Sequence, residues 1–457
     1  MFKVMDKNST ISPSNIGTKA YNLYFLYKNG VNIPDTYCLP NKYCADFIIS
    51  NGLYDEIKKM VYLDNYDALK YKYLNIIKHK NRFKIPYSLV DVLKQLLKKN
   101  TLWAIRSSSA YEDTLSASFA GIYKSIIGIP SDLVILGKAL RKVWLSSFSH
   151  DLITYMKNII KLNPKEILEI ILHGMPVIIQ ELINSEKSGL VFSEHPVNPK
   201  HSEFFFECIR GLLEPLTSGM IWNESFIFDG NKVFSHFFEE QRLGFFAIKN
   251  INKNLLPGDK VQLFQENKPR IFSYFKKRSK YIHILRLPFE LWNTPVLSDP
   301  EILKIYNTLS HVSNKFPKAE AEWTIKNGKI YFLQIRPITT QSNFPNYRFY
   351  LDHKGEFQGL GVSSGYAEGT LFFWKNKIDE NLENKILVVH EMTPDLLPYY
   401  SKIKGIISET GSVLCHGAIL SREFEIPCVI LPKAAQLLRF FKKVAIDGYE
   451  GKVIKLE

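Results

Sequence analysis

Residues 408–423 read SETGSVLCHGAILSRE, the stretch on which the interpretation of the whole chain turns. Gly411 and Ser412 make a flexible turn. From Ala418 onward Ile419, Leu420 and Phe424 recur at helical spacing until Pro427 closes the pattern. His416 is therefore expected at or just before a helix N-terminus. A phosphoryl group on its imidazole would there meet free backbone N–H groups and the positive end of the helix dipole. A neutral imidazole nitrogen is also a good nucleophile near neutral pH. A packed or capping histidine would satisfy the same local pattern, so the surroundings must decide.

Around this stretch, the last hundred residues alternate strand-like runs with short helical patterns and Gly turns. The runs are Thr370–Trp374, Ile386–Val389, Gly405–Ile407, Cys428–Leu431, Val444–Ile446 and Lys452–Ile454, which predict a compact α/β or β/β/α domain over 357–457. Upstream, the chain loses periodicity through Gln341–Tyr347, and 341–356 reads as a linker. Before it, Asn327-Gly328 stands between the alternating runs Ala321–Ile325 and Lys329–Gln334, a strong hairpin signal. Ile302, Ile305, Leu309 and Val312 predict a helix. Residues 231–300 are aromatic and basic without assignable periodicity and read as an insert. Residues 1 to about 230 mix helical patterns with short β-rich runs, so 1–340 is taken as the first domain.

Three motifs in that domain suit a nucleotide. Gly17-Thr18-Lys19-Ala20 opens a helix, where a lysine behind a glycine can reach phosphate oxygens; a solvated helix-start lysine would look the same. Ala104-Ile105-Arg106-Ser107-Ser108-Ser109-Ala110, followed by Glu112-Asp113 and Ser118-Phe119-Ala120-Gly121, delivers a guanidinium into a loop of small hydroxyl residues. Such a loop can cover a polyphosphate, and it can also be a Ser-rich surface turn. Glu322-Trp323-Thr324 and Gln334-Ile335-Arg336-Pro337 face each other across the hairpin. Their carboxylate and amide oxygens are hard ligands suited to Mg²⁺, with Arg336 able to neutralise phosphate; a polar cross-strand pair is the plainer alternative.

In their order, these motifs resemble the ATP-grasp domain of pyruvate phosphate dikinase, PEP synthase and rifampin phosphotransferase. Val177–Leu182 is similar to that family's adenine-side hinge, Ser188–Ser193 to the strand after it, and Gly211–Glu214 with Ser218-Gly219 to its GLGE…SG. The 408–423 stretch resembles the signature around the family's phosphorylated histidine. Gly359–Gly361, Ser363–Gly365 and Gly369 match the opening of the same swivelling domain, and Val444–Val453 its end. Thr18, Leu213, Ser412 and Ser421 stand where the family has glycine, glycine, glycine and alanine. The resemblance implies an α+β multidomain chain, an N-terminal ATP-grasp fold followed by a small swivelling β/β/α phosphohistidine domain. It implies ATP and Mg²⁺ as cofactors, with Lys19 and Arg106 on phosphates and Gln180, Glu181 and Leu182 at adenine. Glu214 would stand near the ribose or hinge, and Glu322 and Gln334 on Mg²⁺. Arg336 and Arg106 would assist transfer to His416, with AMP and phosphate released.

The family's pyruvate-binding barrel or intervening substrate domain has no counterpart in the sequence. The acceptor is accordingly unidentified: a small molecule set against Phe237–Phe246 and Tyr274–Arg278, or a group borne by a separate acceptor subunit. A nucleotide-sensing module without chemistry is the alternative of a different class.

Bulk properties agree with an enzyme of this kind. The 457 residues are 46% apolar and 23% charged, ordinary globular composition, and long enough for two or three domains. The five cysteines form no CxxC pair, which argues against a disulfide framework or zinc site. Cys415, beside His416, reads as a half-buried structural thiol. Net charge is +14, but the lysines are scattered rather than striped, which argues against nucleic acid. MFKVMDKNST lacks a secretory apolar region and no apolar run reaches membrane-spanning length, so a cytoplasmic location is expected.

Overall fold

The computed structural model describes residues 2–4, 12–97, 100–112, 119, 122–196, 203–221, 223–237, 241–247, 262–263, 281–314, 316, 318–338, 356–374, 382–413 and 415–456. They form a mixed α/β assembly around four sheets. The first sheet joins β1 (Phe2–Lys3), β2 (Thr36–Leu39), β3 (Leu102–Ser107), β4 (Ser125–Pro130) and β5 (Val177–Glu181) in the order β1-β2-β5-β3-β4. Its strands carry continuous apolar runs because helices cover them; the helix Leu133–Ser146 buries Leu136, Leu140, Val143 and Trp144.

The second sheet is antiparallel. It contains β6 (Lys187–Phe192), β7 (Phe204–Arg210), β8 (Glu224–Phe228) and β9 (Val233–Phe237), and, after a small three-stranded sheet, the hairpin strands β13 (Ala319–Lys326) and β14 (Lys329–Pro337). The order is β14-β13-β6-β7-β8-β9. The hairpin is the one expected from Asn327-Gly328, both residues having positive φ, as a tight turn matched to strand twist requires. The helix Asp299–Ser313 starts at a Ser298/Glu301 capping box and buries Ile302, Ile305, Leu309 and Val312. Each such side chain contributes about 1.5–3 kcal/mol of apolar burial.

Part of 231–300, unreadable by periodicity, has a defined place. β9 extends the second sheet, while β10 (Leu243–Ala247), β11 (Gln262–Leu263) and β12 (Ile282–Arg286) form the small sheet in the order β10-β12-β11. Tyr274–Arg278 and residues 341–355 lie outside the described residues.

The fourth sheet draws only on residues from 356 onward. Its strands are β15 (Glu356–Gln358), β16 (Leu360–Ser363), β17 (Tyr366–Phe373), β18 (Lys385–Val389), β19 (Gly405–Ser408), β20 (Cys428–Ile430), β21 (Lys443–Asp447) and β22 (Lys452–Lys455). β17, β18, β19 and β20 run parallel, with antiparallel strands at both flanks. Six of the eight coincide with the runs read from sequence. The two missed, β15 and β16, are short, with Gly359 between them and Gly361 inside the second. Among the described residues no helix is long and apolar enough to cross a membrane.

Candidate functional site

The helix Thr18–Lys28 begins on Gly17, whose φ is +78° and ψ 164°. A Cβ there would overlap the Ser108 carbonyl, so only glycine allows the helix to start against the Arg106–Ala110 loop. The loop and helix are tied together: the Ser108 hydroxyl accepts from the Ala20 N–H (3.0 Å) and donates to the Ile16 carbonyl (2.9 Å). The Thr18 hydroxyl donates to the Ala110 carbonyl (3.2 Å). Lys19 emerges from this junction with its Nζ 2.6 Å from Oε2 of the buried Glu112. Asn22, one turn on, donates to the Ile335 carbonyl (2.9 Å), which fixes the helix on β14 between Gln334 and Arg336.

Arg106 reaches across to the second sheet. Its Nη2 donates to Glu322 Oε2 (2.8 Å) and Gln334 Oε1 (2.7 Å), and its Nη1 to the Leu333 carbonyl (3.4 Å). Gln180, buried at the end of β5, donates to the same Leu333 carbonyl (3.4 Å) and to the Thr36 hydroxyl (3.3 Å). Arg106, Gln180, Glu322 and Gln334 thus meet at one place between the two sheets. The backbone N–H groups of Glu181 and Leu182 are taken by the Asp35 and Leu102 carbonyls. Glu214 heads the short helix Glu214–Thr217, and Leu213 before it is buried, filling apolar space where the family has glycine. Asp113, Ser118, Ala120 and Gly121 lie outside the described residues.

Antiparallel pairing sets a row of side chains across the second sheet. Glu207, Leu190, Glu322 and Gln334 are successive partners on β7, β6, β13 and β14, so they share a face. Two residues along, Phe205, Phe192, Glu320 and Arg336 form the next row on that face. Arg336 Nε lies 2.7 Å from Glu320 Oε1, both largely buried, which orients the guanidinium.

His416 is the first residue of the helix His416–Glu423, capped by Cys415 in extended conformation. It is half-buried. Gly417 behind it packs on Met392, where a Cβ would collide. Burial raises the Cys415 thiol above its ordinary value, which fits a structural group rather than a nucleophile. The loop before His416 rests on the second sheet's side of the molecule. The Ser412 hydroxyl donates to the Leu216 carbonyl (3.1 Å), and the Val413 N–H donates to Glu207 Oε1 (3.0 Å). Arg422 Nη1 donates to the carbonyls of Val413 (2.7 Å) and Val362, and Tyr155 donates to Glu423 (3.0 Å).

Sequence reading missed Glu207 and Glu320, and it gave no role to Glu112 or Arg422, although both stand inside the motifs it singled out. Strand alternation could have flagged Glu320, two residues before Glu322 and on the same face. Glu207 interrupts the apolar run of the strand FFFECIR before its terminal Arg210, and a carboxylate in such a run is itself a signal. Three of the four departures from the family pattern add a hydrogen bond: Thr18 to Ala110, Ser412 to Leu216, and Ser421 to Gly417 (2.7 Å).

The chain matches two family models. Residues 13–348 match the pyruvate phosphate dikinase AMP/ATP-binding domain, and residues 382–451 the mobile domain of PEP-utilising enzymes. A probable phosphoenolpyruvate synthase of Archaeoglobus fulgidus is 28% identical over 97% of this chain and 57% of its own length. That of Methanothermobacter thermautotrophicus is 28% identical over 96% of this chain and 62% of its own. The phosphoenolpyruvate synthase of Pyrococcus furiosus is 25% identical over 81% and 44%. The chain spans about three fifths of the length of the first two relatives. An AMP/ATP-binding domain over residues 13–348 and a mobile domain that includes His416 together place the chain in the pyruvate phosphate dikinase family.

Proposed function

We propose that the chain transfers a phosphoryl group from ATP to His416 and passes it on, the first part being an ATP-grasp domain and the second a swivelling phosphohistidine carrier. The observation that carries this reading is the docking of the His416 loop on Glu207, in the same row of the sheet as Glu322 and Gln334. In net balance, an imidazole nitrogen takes the β-phosphoryl group, water takes the γ-phosphoryl as inorganic phosphate, and AMP leaves. Lys19 and Arg106 would hold the polyphosphate, Arg336, oriented by Glu320, would meet charge developing in transfer, and Gln180–Leu182 with Glu214 would border the nucleoside. Glu322 and Gln334 fit Mg²⁺: their two hard oxygens already converge on one cationic nitrogen of Arg106. The ion would supply charge neutralisation on the polyphosphate.

Incubation with ATP labelled at the β-phosphate tests the reading. Acid-labile label on the protein, absent in His416→Ala, with stoichiometric AMP, is expected. ATP binding without AMP formation would mean a nucleotide-sensing module instead. The relatives' names point to pyruvate as acceptor. Label moving from His416 to pyruvate without another protein would place acceptance in this chain; movement only on adding a second subunit would place it there.

A further inference from the structure

We propose that Glu207 is a positioning residue that clasps the His416 loop to the ATP-side sheet, forming the docked arrangement in which His416 receives phosphate. The inference rests on the phosphotransfer reading above for its purpose, though the clasp itself is a matter of geometry. Glu207 is fully buried on β7. Its Oε1 accepts from two donors, the Asn223 side chain (3.1 Å) and the Val413 N–H (3.0 Å). The first comes from the loop leading into β8 of the same sheet and holds the carboxyl still. The second comes from the other part of the chain, three residues before His416. Val413 is held from behind as well, because the buried Arg422 donates to its carbonyl (2.7 Å). One chain of contacts therefore runs Asn223, Glu207, Val413, Arg422, and ends in the helix that His416 begins.

Position gives the clasp its meaning. Glu207 is two strands from Glu322 in one row, and strands are about 4.8 Å apart, so the clasped loop lies about 10 Å from the oxygens that would hold Mg²⁺. A polyphosphate and an imidazole together span that gap. The neighbouring contacts act in the same direction: Ser412 bonds the Leu216 carbonyl, and Cys415 packs on Gly219. These are backbone and small-residue contacts, whereas Glu207 alone among them brings a buried carboxyl with one oxygen, Oε2, that has no hydrogen-bond partner among the described residues. A buried carboxyl kept for apolar packing would be replaced without loss; one kept to hold a mobile loop would not. A carrier must also let go, and a few hydrogen bonds at the meeting of two separate sheets, Val413 to Glu207 and Ser412 to Leu216 among them, can open and reform.

The test compares Glu207→Ala, which leaves the Val413 N–H unpartnered, with Glu207→Gln, which keeps an acceptor oxygen. Three quantities are read: ATP affinity, the single-turnover rate of His416 labelling, and amide exchange of the 408–413 segment. Glu207→Ala is expected to bind ATP as wild type does, to label His416 about tenfold or more slowly, and to lose protection at Val413. Glu207→Gln is expected to recover most of both. Wild-type labelling and protection in Glu207→Ala would overturn the proposal. So would loss of ATP binding in both variants, which would make Glu207 part of the nucleotide site or the fold. If the wild-type chain takes no label, the phosphotransfer reading fails by itself; exchange at Val413 in wild type against Glu207→Ala then decides the clasp alone.

Discussion

Replacing Gly17 by alanine should uncouple Lys19 from the rest of the site, and the structure sets the size of the effect. At φ +78° and ψ 164° the backbone occupies a region open essentially to glycine, which costs another residue about 1–3 kcal/mol. The new methyl group also overlaps the Ser108 carbonyl, so the helix and the loop must separate. That separation breaks the Ser108 bonds to Ala20 and Ile16, each contributing about 1 kcal/mol and more when a buried partner is left unsatisfied. Together these come to about 4 kcal/mol. Gly30 provides the control: its φ is also +78°, but nothing lies within 4 Å of where a Cβ would sit, so Gly30→Ala should cost only about 1–2 kcal/mol. Thermal unfolding midpoints of the two variants should therefore differ by about 2–4 °C for a chain of this size, with Gly17→Ala the lower. ATP affinity should fall in Gly17→Ala and hold in Gly30→Ala. Equal midpoints and equal affinities would refute the claim that contact with the Arg106–Ala110 loop fixes the helix start.

Two further outcomes follow from the same geometry. Chelation of divalent metal should abolish labelling of His416, Mg²⁺ should restore it, and Glu322→Ala should need about tenfold or more Mg²⁺ for half-maximal labelling; an unchanged requirement would remove Glu322 from the metal site. Burial pushes the Glu207 carboxyl up from 4.5 to about 7, against the opposing bonds from Val413 and Asn223, with Arg422 of the His416 helix and Glu320 of β13 also facing it. Because the folded value is raised, the favourable contribution is complete below about 4.5 and is lost as pH rises through about 7, by at most about 3 kcal/mol. Unfolding midpoints of wild type and Glu207→Gln, which cannot titrate, should diverge across that window in favour of the variant at high pH; parallel curves would refute the assignment.

The parts legible in the sequence are those written in local grammar. The hairpin is readable because Asn327-Gly328 imposes a turn on flanking alternation, and the helix from Asp299 because its four buried residues recur at helical spacing. β18 and β19 are readable because strands buried on both faces become short apolar runs. Contact between distant segments leaves no such trace. Arg106 can be singled out, but not that its Nη2 joins Glu322 and Gln334, 216 and 228 residues away. Lys19 can be placed at a helix start, but its pairing with Glu112 depends on how Gly17 seats that start on the loop.

Glu207 shows the limit most clearly. Its strand reads FFFECIR, in which the carboxylate is an exception to an apolar run, and an exception of that kind announces a function without naming it. The function appears only when pairing carries the position across β6 to Glu322 and when the Val413 N–H arrives from 206 residues downstream. The departures from the family pattern behave the same way. Ser412 looks like a small loss of flexibility in a glycine turn, yet its hydroxyl adds a bond to Leu216, where the His416 loop meets the second sheet's side of the molecule. A substitution that stiffens the turn while adding a contact shifts the balance toward the docked arrangement, and the release step should then be the slower one. Ser412→Gly should accordingly speed transfer from His416 to the acceptor relative to labelling, measured as the fall in steady-state phosphohistidine during turnover; a rise would show that docking, not release, limits the cycle.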